Sequence, residues 1–148
     1  MEWFDKRLAE ANLLRQQYAQ VRESAETVFE DLWTAVKAIV VDAAKTKVFA
    51  SIATNGNSSV RVVKMRVESS SWLGPEDKEL TIRLSDDKRN IEASGSAGRV
   101  KVILSLGVCP DGVVCLKYEG KELRPSEAAI KVMDPFLFPE FYTGSENP

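Results

Sequence analysis

The sequence predicts an α+β fold: a long N-terminal helix packed on one face of a five- to six-stranded antiparallel meander sheet, followed by a short C-terminal helix. Three observations carry this expectation. No glycine or proline occurs before Gly56. Apolar residues in that stretch recur in steps of three and four, the period of one helix face. After Lys47 the pattern switches to two-residue alternation broken by turn residues, and short turns join neighbouring antiparallel strands.

The first element spans residues 1–45. Ala11, Leu14, Tyr18, Val21, Ala25, Val28, Leu32, Ala35 and Ile39 follow a heptad a/d spacing. The stripe is narrow and flanked by charge from Leu8 to Ala25, which suits a helix–helix seam. It widens from Val28 to Val41, with Phe29, Trp33, Val36 and Val40 added, which suits burial under a sheet. A helix of this length runs ~66 Å, whereas a compact chain of this size has a radius of gyration of ~15 Å. The helix therefore overhangs its domain and seeks a partner, or breaks near Arg22-Glu23-Ser24 with Ser24 as N-cap.

The sheet is expected over residues 46–119. Asn55-Gly56 between Val48–Thr54 and Ser58–Glu68 reads as a hairpin. A loop from Ser69 to Lys78 holds Trp72 and Gly74-Pro75. Leu80, Ile82 and Leu84 alternate with polar residues, and Asp86–Asn90 turns that strand into Ile91–Ser94. Gly95–Gly98 turns again into the strand of Val100, Val102, Leu104 and Leu106. Cys109-Pro110-Asp111-Gly112 leads into Val113–Tyr118. Residues 120–148 give a helix from Pro125 closed by Asp134-Pro135, then an aromatic strap from Phe136 to Tyr142. The whole reads as one domain, 1–148.

Composition narrows the chemistry. The chain has 148 residues and no histidine. Serine or cysteine nucleophiles activated by imidazole are thereby excluded, as are His-containing zinc sites. No set of residues converges on a catalytic, cofactor-binding or metal-binding constellation. Asp86-Asp87 and Glu76-Asp77 read as solvated turn acids, and Gly95-Ser96-Ala97-Gly98 lacks the following helix that a phosphate loop needs. With a three-residue loop, Cys109 faces Val113 and Cys115 lies on the diagonal; only a five-residue loop sets the cysteines directly opposite. Both are read as small apolar side chains.

These readings define a cytoplasmic, non-enzymatic interaction module, a homodimer whose helix seam is Ala11, Leu14, Tyr18 and Val21. The aromatic strap is the second choice for the contact. One alternative is a small-molecule pocket between helix and sheet, lined by Trp33, Phe49 and Met65. Another is an anionic partner, nucleic acid or acidic protein, on the outward face of the sheet. Alternation places Lys64, Arg66, Arg83, Arg99, Lys101 and Lys117 there, and residues 46–107 carry ten bases against seven acids. That face offers no aromatic side chains for bases to stack on. No apolar stretch reaches the ~20 residues that cross a bilayer.

Overall fold

The structure, a computed structural model, describes residues 1–68, 76–95 and 101–143. The loop of Trp72 and Gly74-Pro75, most of the Gly95–Gly98 turn, Val100 and Arg99 lie outside the described residues.

Helix α1 is continuous over Glu2–Ala44, with no break at Ser24. Among the described residues a seven-stranded antiparallel meander follows in the order β1-β2-β3-β4-β5-β6-β7: Phe49–Gly56, Val60–Val67, Glu76–Leu84, Asn90–Gly95, Lys101–Val108, Val114–Tyr118 and Lys121–Leu123. Helix α2 covers Pro125–Leu137 and α3 covers Glu140–Thr143. The long helix, antiparallel sheet and short C-terminal helix are thus all present.

Four details differ from the sequence expectation. The sheet has seven strands because Glu119 and Gly120 adopt left-handed conformations (φ +51° and +82°). They form a two-residue turn that pairs Tyr118 with Lys121. A strand of three residues has too little alternation to be read beforehand. β3 begins at Glu76, since Asp77 and Lys78 pair with Arg66 and Met65. The first hairpin turns at residues 57–59 rather than at Asn55-Gly56. The Asn57 side-chain oxygen accepts the Ser59 and Val60 amides at 3.0 and 2.9 Å, a local bond that competes with the two-residue turn. Gly56, at φ +149°, ends β1 where a Cβ would overlap the Val60 carbonyl.

The fourth concerns α2, which continues through Pro135 to Leu137. A proline so near a C-terminus removes one hydrogen bond, and the Phe138 amide still donates to the Asp134 carbonyl at 2.8 Å. At the other end Pro125 occupies the first turn, and the Glu127 carboxylate accepts the Arg124 amide at 3.0 Å. Most of the expected strap is therefore helix, in α2 up to Leu137 and in α3 from Glu140: Phe136 and Leu137 are buried, while Phe138, Phe141 and Tyr142 stay exposed.

The core lies between α1 and the sheet, with α2 packed on both. Val21, Ala25, Phe29, Leu32, Trp33, Val36 and Val40 form the buried stripe of α1. They meet the inward residues of alternate strand positions, among them Val63, Met65, Leu80, Ile82, Ile91, Leu104 and Leu116. Among the described residues no polar or charged side chain is buried.

Candidate functional site

The projecting part of α1 is the candidate site. From Val21 onward the helix is held under the sheet; before it, every residue is exposed or half-buried. The turns at one end of the sheet mark the boundary. The Arg89 guanidinium, from the β3–β4 turn, lies 3.9 Å from the Tyr18 ring centroid. The Gln20 amide donates to the Gly112 carbonyl in the β5–β6 turn. Lys88 pairs with Glu26 at 3.1 Å. Residues 2–17 thus extend ~24 Å beyond these contacts at ~1.5 Å per residue.

The stripe does not stop where the sheet does. At ~100° per residue, Phe4, Leu8, Ala11, Leu14 and Tyr18 lie on the same helix face as Val21, Ala25, Phe29 and Val36. Phe4, Leu8, Leu14 and Tyr18 are each between 43 and 47% exposed. Of the four expected seam residues, Leu14 and Tyr18 are open to solvent and Ala11 is half-covered. Val21 is 3% exposed and belongs to the chain's own core. Phe4 and Leu8, and Trp3 at 69% exposure, extend the apolar surface beyond the residues singled out from sequence. They were legible as the same stripe continued two turns backward.

The outer face of the sheet carries mixed charge. Lys64 pairs with Glu79 at 3.8 Å, Arg66 with Asp77 at 2.8 Å and Lys101 with Glu92 at 3.6 Å. Arg83 sits opposite Glu92 and Lys117 opposite Glu122 in the strand register. The hydrogen bond from Arg66 holds the Asp77 carboxyl below its usual range, and Asp77 in turn raises the guanidinium. The bases do share one face, but the antiparallel register sets an acid directly opposite Lys64, Arg66, Arg83 and Lys117, while Lys101, opposite Ser94, reaches Glu92 diagonally. Neighbouring strands were legible in sequence; their register was not.

Trp33, Phe49 and Met65, the expected lining of an interlayer pocket, are buried in the contiguous core. A depression of about 360 Å³ lies at the C-terminal end of α1, where Val40, Val41 and Ala44 face Ser51 and Thr54 of β1. Among the described residues its charged lining groups are Lys37 and Lys45.

One inward residue escaped the sequence reading. Arg61 shares the sheet face of Val63 and Met65, and its guanidinium lies 5.8 Å from the Phe29 ring and 5.7 Å from the Trp33 ring. It bonds Glu30 at 2.6 Å. Cation and rings together close the core beside the first hairpin. The alternation Arg61-Val63-Met65 was the signal available.

Cys109 and Cys115 form a disulfide, with Cα atoms 6.2 Å apart. The loop has three residues, as the Cys109 amide bonds the Val113 carbonyl at 2.9 Å, with Gly112 left-handed at φ +83°. The cysteines are therefore diagonal, yet within bridging range, which replaces the reading of two unlinked side chains. A Glu122 carboxylate oxygen lies within 4.8 Å of both sulfurs; bonded to each other, those sulfurs are not thiolate ligands. Closing so small a loop restricts the unfolded chain by about 2 kcal/mol. The double variant Cys109→Ser/Cys115→Ser is expected to lose about that much in urea unfolding. No loss would show that the bond does not constrain the chain in solution.

Fold and site together define an α+β chain with a projecting amphipathic helix. No family model, curated protein or solved structure matches it.

Proposed function

We propose that the chain is a non-enzymatic interaction module that forms a homodimer through the projecting part of α1. The observation that carries this reading is the continuation of the core stripe, through Leu14 and Phe4, past the last contact with the sheet. Contiguous exposed apolar surface of this kind marks interaction sites in soluble proteins, and an isolated helix of this length is marginal in water without a packed face. The chain has no histidine to serve as a proton-transfer group near neutral pH.

The reading predicts a dimer by light scattering at high micromolar concentration. Leu14→Asp is expected to yield monomer while the unfolding free energy, measured in dilute solution, shifts by less than ~0.5 kcal/mol, as for other surface changes. A parent protein that scatters as a monomer throughout would refute the reading.

No helix among the described residues is long and apolar enough to cross a membrane. The cytoplasmic expectation requires Cys109 and Cys115 to be thiols in the cell, since disulfides are rare in reducing compartments. Alkylation at the moment of lysis reads their state directly. Fully blocked thiols support a cytoplasmic location, and a protected disulfide argues for an oxidising one.

A further inference from the structure

Resting on that reading, we infer that the second copy pairs antiparallel with the projecting helix, about a two-fold axis at Ala11. The first argument is steric. The exposed stripe and the buried stripe are one line along one helix. A parallel copy seated on Phe4 to Tyr18 would run on into the space that the sheet occupies from Val21 onward. An antiparallel copy approaches from the opposite direction, and its own sheet then lies past the level of Met1, clear of the first.

The second argument is the spacing of the exposed residues. Phe4, Leu8, Ala11, Leu14 and Tyr18 fall at offsets of −7, −3, 0, +3 and +7 from Ala11. This order reads the same in both directions. In the antiparallel pair Phe4 comes level with Tyr18 of the other copy, Leu8 with Leu14, and Ala11 with itself. Aromatic meets aromatic, and the smallest side chain sits on the axis, where the backbones approach most closely. A two-fold interface needs such self-complementarity. Level pairs sit on opposite edges of the seam: Arg7 of one copy, ~40° from Ala11, flanks Leu14 of the other, ~60° off on the same edge, and Arg15 flanks Leu8, so the arginines are kept apart and border the leucines.

The contact strip is ~24 Å long and ~10 Å wide. It is smaller than a standard interface, in which each partner gives up ~800 Å². The dimer is therefore expected to dissociate on dilution through the micromolar range.

Spin labels on Glu2→Cys and Ala9→Cys test the geometry, with the native disulfide left oxidised so that only the new thiol reacts. Both sites lie on the side of the helix away from the stripe, two turns apart. In the antiparallel pair the two labels at position 2 are offset by ~27 Å along the axis and those at position 9 by ~6 Å. Dipolar spectroscopy should therefore find a clearly longer distance at position 2. Equal distances at the two positions would overturn the antiparallel arrangement and leave the dimer standing. A monomeric mass with no dipolar coupling would overturn both. Leu14→Asp added to either variant should abolish the coupling; coupling that survives it would place the contact elsewhere and overturn the pairing.

Discussion

Phe29→Ala is expected to lower the unfolding free energy by about 3–5 kcal/mol, the range for deleting a buried aromatic ring. Phe29 is among the largest fully buried side chains of the core. It anchors the middle of α1's buried stripe and supports the Arg61 guanidinium. The truncation removes apolar burial, leaves a cavity between close-packed layers and takes one ring away from a partly buried cation. Urea denaturation followed by circular dichroism measures the change. A loss below ~1 kcal/mol, the level of an ordinary surface change, would mean that the helix is not packed on the sheet as described.

Val21→Asp is expected to cost a similar amount, about 3–5 kcal/mol near neutral pH, because it leaves an uncompensated charge where water is excluded. The same substitution at Leu14, two turns earlier on the same stripe, should leave the fold almost untouched. The difference lies wholly in how far the sheet reaches. Burial disfavours the ionised form, so the introduced carboxyl has a higher pKa folded than unfolded. The folded chain then holds the proton more tightly. Relative to the parent, the variant is least impaired below the unfolded value of ~3.9 and loses stability as pH rises above it. A Val21→Asp protein as stable as the Leu14→Asp protein at pH 7 would show that the boundary is misplaced.

The architecture was legible because its signals are local. Forty-odd residues without glycine or proline, and a stripe that holds its period, specify one helix, and Ser24 alone is too weak a signal to break it. Alternation at Leu80-Ile82-Leu84 and Val102-Leu104-Leu106 specified strands and their inner faces. What escaped was decided by pairing across distance or by a few side-chain bonds. Register set Glu79, Asp77 and Glu92 against the basic residues, turning an apparent cationic strip into a lattice of alternating sign. Asn57 moved the first turn by capturing two amides. The bridge between Cys109 and Cys115 depends on a diagonal reach that spacing alone leaves open. For the candidate site, the stripe itself was readable and its end was not. Val21 and Leu14 look alike in sequence, and only the turns carrying Arg89 and Gly112 separate a core position from a free one.

The free stretch of α1 also shapes how the molecule drags through solvent. A spike of ~24 Å on a body whose compact radius of gyration is ~15 Å raises friction out of proportion to mass. Even a solitary copy should elute early from a calibrated column, imitating a heavier particle. The two-copy form inferred above would be a dumbbell, with a low-angle scattering profile showing two lobes joined by a thin waist.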